Sequence, residues 1–290
     1  MFQIFLHNLF LVGVLALSTM GITLTFKTAG VANFAQGITA TVGAFIAAYM
    51  FTRSGINPWI AGLSGIAVCF VLGWFVDFVI VNRLKSGPIG RVMVTLALIL
   101  IVSALIPEIF GVLPFDYPRY FAGTFEFELF GTSFTLARNG LFIFLVAMGV
   151  IGIIFLMLYK TKWGLNVRAT ASNSIVASMM GINTKSLTAL SWAISSACAA
   201  LAAVLLGSHN NTVDINMLAV VGTNSLLALI VGGFTSFYGP IVGALILPTL
   251  LSVLAMISGL WANVLLYSVI LLFILVRPNG LFGKKTIEKI

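Results

Sequence analysis

Long apolar runs alternate with short polar breaks along this chain. About twenty predominantly apolar residues cross a bilayer as a helix. The runs Phe5 to Phe26, Ile38 to Phe51, Trp59 to Val81, Val92 to Val112, Gly140 to Tyr159, Leu187 to Gly207, Met217 to Gly232, Pro240 to Ile257 and Asn263 to Val276 predict nine segments, at least two of them short. Two breaks carry patterns of their own. Between residues 114 and 139, TFEFELFGTSFTL alternates Phe125, Phe127 and Leu129 with Glu126 and Glu128, which predicts a small hairpin turning at Gly131. It reads as a cover over the helix ends, with a direct substrate contact or a docking surface for an external protein as the alternatives. Between residues 160 and 185, Val167, Ala171, Ile175 and Met179 recur every four residues before Gly181, the pattern of a short amphipathic surface helix. Ser172 and Asn173 could instead cap a second piece, giving two short helices with a bend.

Composition fixes the solvent. Of the 290 residues, 60% are hydrophobic and only 8% charged, too few polar side chains to cover a water-soluble globule. The expected fold is all-α: one polytopic membrane bundle over residues 1–290, with broken or re-entrant segments and a small extracytoplasmic β-hairpin. Phe5 to Phe26 has no preceding cation, since Lys27 is the first basic residue, so a helix rather than a cleaved signal is expected. Cys69 and Cys198 fall inside apolar runs as small hydrophobes, with no disulfide or metal expected.

The net charge of +8 does not form a basic stripe interleaved with exposed aromatics, so nucleic acid is not an expected partner. It reads as topology. Strict alternation places Lys27, Arg83, Lys85, Arg91, Lys160, Lys162, Arg168, Lys185, Arg277, Lys284, Lys285 and Lys289 on one side, which the positive-inside rule makes cytoplasmic. Arg53, Arg119 and Arg138 fall on the other side with Glu108, Asp116, Glu126, Glu128 and Asp214. The N-terminus is therefore expected outside and the C-terminus inside.

Glycines cluster at GVANFAQG, residues 30–37, and at VGGFTSFYGP, residues 231–240. Backbone breaks at membrane depth persist only where protein or a water-lined cavity satisfies the freed groups. One break in each half, followed by ITATVGA and PIVGA, points to an inverted repeat with a solute path between the repeats. Close helix packing is the alternative use of the same glycines. Asn33, Gln36, Thr235 and Ser236 are the polar groups best placed to meet a solute, with Asn224 and Ser225 behind them; each could equally bond a neighbouring helix.

The interior otherwise holds little chemistry. Asp77 is the acid well within a span, six residues before Arg83, or about 9 Å along a helix, where the two could pair. The tail GLFGKKTIEKI has neither the spacing nor the Ser or Thr of a phosphate loop, and no metalloprotease or nucleophile-elbow motif occurs, so no cofactor is expected. The helical face within the 160–185 loop is mostly Ala, Ser, Asn and Met, without the many cations and bulky anchors of a lipid-surface helix, which favours a protein partner.

Four motifs in order resemble one family. GLNVRATASNSIVASMMGIN, NFAQG, the GG, S, GP run from Gly232 to Pro240, and RPNGLFG from Arg277 to Gly283 are similar to segments of the shorter permease subunit of branched-chain amino acid ABC importers. The resemblance reaches from residue 30 to the C-terminus, with Gln36 where histidine is often found. It implies a bacterial-type inner-membrane permease that pairs with a second homologous permease, two cytoplasmic ATPases and an external solute-binding protein. It implies that Arg168, Ala169, Asn173, Ala177 and Gly181 belong to the element seated on an ATPase. Related permeases move urea, short amides, other amino acids or sugars, and an ATPase-independent channel or carrier is the competing class.

Overall fold

The computed structural model describes residues 2–84, 87–129 and 132–283. Each of the nine predicted segments corresponds to a helix: α2 (Leu9–Ala29), α3 (Gln36–Ser54), α4 (Pro58–Phe75), α5 (Pro88–Phe110), α6 (Arg138–Lys160), α9 (Thr184–Asn210), α10 (Met217–Gly232), α11 (Gly239–Ile257) and α12 (Ala262–Val276). Short elements join them: α1 (Phe2–His7), α7 (Lys162–Ser172), α8 (Ser174–Met179) and the strands β1 (Phe115–Asp116), β2 (Thr124–Leu129), β3 (Thr132–Ala137) and β4 (Thr212–Val213). The first segment does not begin at Phe5 as predicted. Asn8 ends α1 by donating from Nδ2 to Ile4 O (2.9 Å) and to Ser252 Oγ (2.6 Å), and α2 starts after it.

Among the described residues, six helical segments are long and apolar enough to cross a membrane: Leu9–Ala29, Pro58–Arg83, Ile89–Phe110, Arg138–Lys160, Thr184–Asn210 and Gly239–Ile257. Of these, α2 and α9 are the buried central pair. Their polar residues satisfy themselves along the helix, as when Thr19, Thr23 and Ser191 donate to Leu15 O, Thr19 O and Leu187 O at 2.6 to 2.9 Å. Helices elsewhere meet through small residues, which let backbones approach where lipid offers no hydrophobic drive. A Cβ on Gly65 of α4 would overlap the Gly43 carbonyl of α3, and one on Gly243 of α11 would overlap that of Ala228 in α10.

Contacts at the helix ends sort the loops onto two faces. One face gathers Asn8 with Ser252, Tyr120 and Asn139 with Ser208, and β1 paired antiparallel with β4. The other gathers Lys27 with Thr235, Arg91 with Ala29, and Asn82 with Lys185 and Thr188. The described cations Lys27, Arg83, Arg91, Lys160, Lys162, Arg168, Lys185 and Arg277 all belong to this second, basic face. Lys85, Lys284, Lys285 and Lys289 lie outside the described residues. The predicted hairpin forms from β2 and β3, with Phe127 opposite Phe134 and Glu126 opposite Thr135, and Gln3 Nε2 donates to Thr135 O (3.0 Å). Its turn at Gly131 lies outside the described residues.

The chain order through these faces is an inverted repeat. α2 runs to the basic face, residues 30–35 turn back, and α3 restarts at mid-depth, where Gln36 Nε2 donates to Ser18 O (2.8 Å). Ser18 is nine residues into α2, about 14 Å from its start. α9 runs the opposite way, residues 211–216 turn back, and α10 restarts at mid-depth, where a Cβ on Gly37 would stand 3.0 Å from Leu218 O. Then α4 packs on α3 as α11 packs on α10, and PWIAGL at 58–63 and PIVGAL at 240–245 open the matching helices. This corrects the expected pairing of GVANFAQG with VGGFTSFYGP. The first leaves from the basic face, just past Lys27, and the second lies on that same face, where Lys27 Nζ donates to Thr235 O (2.5 Å), whereas counterparts in an inverted repeat start from opposite faces. The partner of the first break is 211–216, and VGGFTSFYGP answers to the α3–α4 link.

Candidate functional site

The stretch from Thr161 to Asn183 is built as a stiff bracket between α6 and α9. Thr161 caps α7 by accepting from Gly164 N (3.2 Å). Gly164 is required there, because a Cβ would overlap the carbonyls of Met157 and Leu158 at the end of α6. Val167 and Thr170 face inward and are buried, and the Arg168 guanidinium carbon lies 5.0 Å from the centroid of the Tyr159 ring. Ala169 is half-buried beside it.

The bracket bends at Asn173. Its Oδ1 accepts from Ile175 N (3.0 Å) and Val176 N (3.1 Å), ending α7 and starting α8. The two-piece form is thus the one observed, and the single stripe is corrected. Val167 and Ala171 turn toward the bundle, whereas Ile175 and Met179 are 66% and 79% exposed. Ala177 is the buried foot of α8. Gly181 stops it in the left-handed region at φ 84°, with Ile182 N returning to Ala177 O at 3.1 Å. Asn183 then caps α9 by accepting from Ser186 N (3.2 Å). One compact element therefore carries Arg168, Ala169, Asn173, Ala177 and Gly181, and presents Ile175, Val176, Met179 and Met180 outward on the basic face.

The other singled-out residues are not gathered in one place. Gln36 sits at the bundle centre, its Nε2 on Ser18 O and its Oε1 accepting from Ser195 Oγ at 2.9 Å. Asn33 is buried and turns the re-entrant segment by accepting from Ala35 N (3.0 Å). Thr235 and Ser236 lie at the basic face; Ser236 Oγ accepts from Gly239 N (3.0 Å) to start α11. Asn224 is buried within α10, where its Oδ1 and the neighbouring Ser225 Oγ have no hydrogen-bond partner among the described residues. The RPNGLFG segment returns to α10, where Leu281 N and Phe282 N bond Val231 O (2.8 Å) and Gly232 O (3.1 Å), satisfying carbonyls that a helix end leaves open.

A polar cavity of about 900 Å³ opens at the basic face beneath the bracket, bordered by Lys27, Asn82, Arg91, Thr170, Asn173 and Thr235 among others. Beside it is a cluster that the sequence reading missed. Asp77 bonds Asn82, not Arg83, and Asn82 reaches α9. The available signal was the polar residue five positions on, within reach because Val76–Ile80 is π-helical. On the opposite face, Tyr117 donates to Pro58 O (2.8 Å) and shares a 2.7 Å hydroxyl contact with Tyr120. Burial raises both phenols above their ordinary pKa. Cys69 and Cys198 are buried and free.

Residues 4–275 match the family model described as the permease component of the branched-chain amino acid transport system. Among curated proteins, the chain is 29% identical to the probable branched-chain amino acid transport permease protein LivH of Methanocaldococcus jannaschii, covering 93% of this chain and 88% of that protein. It is 27% identical to the high-affinity branched-chain amino acid permease BraD of Pseudomonas aeruginosa and 28% identical to LivH of Escherichia coli K12, each over 95% of this chain and 93% of the relative. No solved structure matches it. A bundle with an inverted repeat, a stiff capped bracket on its basic face and this match over nearly its whole length make the chain a multi-pass membrane protein that belongs to the branched-chain amino acid transport permease family.

Proposed function

We propose that this chain is a permease subunit of an ATP-driven importer for branched-chain amino acids, working with a second homologous permease, two ATPases and an external solute-binding protein. The observation that carries the reading is α8: a helix capped at both ends, footed on buried Ala177, that holds Ile175, Val176 and Met179 out from the basic face. An amphipathic helix whose apolar anchors point away from its own protein suits a partner's groove. The charge bias supports a cytoplasmic basic face and an outside N-terminus, with α8 on the side of the ATPases in this reading. The solute class follows the relatives' names. In this reading Asn33, Gln36 and Asn224 border the solute route on the helices that restart at mid-depth, and Thr235 and Ser236 border its mouth at the basic face.

In the cycle, ATP closes the ATPase pair, α7 and α8 move as one piece, and α6 and α9 carry the motion through the membrane. The test is a reconstituted complex carrying Arg168→Glu with Ala169→Leu. Solute-stimulated ATP hydrolysis should be abolished while the binding protein keeps its affinity. Full ATP-driven uptake by that variant, or solute flux through the purified chain alone, overturns the reading.

A further inference from the structure

Asp77 is a buried carboxylate that neither the bracket nor the solute route uses. It is 1% exposed and stands on the π-helical turn Val76–Ile80, near the basic end of a membrane-spanning helix. Its Oδ2 accepts from Asn82 Nδ2 (2.5 Å), and the same amide reaches Lys185 O and Thr188 Oγ1, both at 3.2 Å. The base of α4 is thereby clasped to the first turn of α9, just past the stop at Gly181. Among the described residues the other oxygen, Oδ1, is buried without a hydrogen-bond partner, and so is Nε of Arg91 on α5. The Thr188 hydroxyl and, more weakly, Arg91 also act on the Asp77 carboxylate, and Arg91 Nη1 donates to Ala29 O (3.0 Å) at the end of α2.

Leaving a buried charge half-satisfied is costly, and ionisable groups at membrane depth mark functional positions by default. Here an unfilled acceptor and an unfilled donor of opposite charge belong to helices joined by one short link, and the donor is held by a third helix that borders the cavity. Each group is short of a partner of the kind that the other could supply.

We propose that Asp77 is a positioning residue of the transport cycle: through Asn82 it holds α4 to α9, and its free Oδ1 receives Arg91 when the end of α2 moves. The inference rests on the ATP-driven reading above.

The experiment uses the full complex in liposomes and reads solute taken up per ATP hydrolysed. Asp77→Asn keeps an acceptor for Asn82 and removes the charge, and Arg91→Gln removes the other partner. Each should lower uptake per ATP about tenfold at unchanged binding-protein affinity, and the double variant should be no worse than either single one, because both break one pair. Asp77→Glu should restore most of the coupling. Normal coupling in either single variant, or losses that multiply in the double variant, overturns the proposal. If Asp77→Asn does not assemble, Arg91→Gln decides alone, by reduced or by normal coupling. A wild-type complex that takes up no solute with ATP refutes the proposed function instead, so the two failures are distinct.

Discussion

Gln36 accepts a hydrogen bond from Ser195 Oγ at 2.9 Å, tying the start of α3 to the middle of α9 at the centre of the bundle. Its amide also holds Ser18 O of α2 at 2.8 Å, so one side chain joins the three helices around which the repeat is organised. Gln36→Leu would leave the Ser195 hydroxyl unpaired in a buried site, at a cost of about 1–3 kcal/mol. The variant should unfold at a lower temperature in detergent than Gln36→His, which keeps a side chain able to bond. Equal midpoints would show that the bridge contributes nothing to stability.

Two sets of glycines should behave oppositely. At Gly65 a Cβ would overlap the Gly43 carbonyl, so Gly65→Val must push α3 and α4 apart and should abolish membrane accumulation of folded protein. Gly149 and Gly152 of α6 have open space at the same position, so Gly149→Ala and Gly152→Ala should be tolerated and gain helix propensity. Expression and gel-filtration profiles of the three variants decide it, and a well-folded Gly65→Val would refute the close approach.

Helix positions were legible because apolar length alone decides them, and the hairpin because its alternation of phenylalanine and glutamate has period two. The repeat was legible only in part. Glycine clusters drew the eye to residues 231–240, yet the true counterpart of the first break, residues 211–216, contains no glycine. There Asn211 takes the left-handed conformation at φ 60°, and Asp214 Oδ1 accepts from Asn216 N at 2.8 Å, so side chains do the work that glycine does elsewhere. The partner of Asp77 was hidden for a similar reason. A π turn brings the fifth residue into reach, which a reading at 3.6 residues per turn passes over.

Tyr117 and Tyr120 hold their protons more tightly in the folded protein than in the unfolded chain, because burial disfavours both phenolates. The sign follows directly: with folded pKa values above the unfolded one, the pair's contribution is intact below about pH 10 and is lost as pH rises beyond it. At about pH 11, while the protein remains folded, Tyr117→Phe/Tyr120→Phe should show the same phenolate absorbance as the wild type. A lower absorbance in the double variant would mean that these phenols ionise normally.

Asn173 offers the most direct separation of shape from contact in the bracket. Its Oδ1 caps α8 through Ile175 N and Val176 N, so Asn173→Ala should loosen the helix by about 1 kcal/mol while Asn173→Asp keeps the cap. Met179, which is exposed and caps nothing, tests the outward face instead. Under the proposed function, Met179→Glu should lose the co-purifying ATPase with the permease still folded. Asn173→Ala should retain the ATPase but show weaker stimulation by loaded binding protein, and Asn173→Asp should behave as wild type. If Met179→Glu binds its ATPase normally and only Asn173→Ala is impaired, α8 serves as a structural corner and the contact lies elsewhere on the basic face.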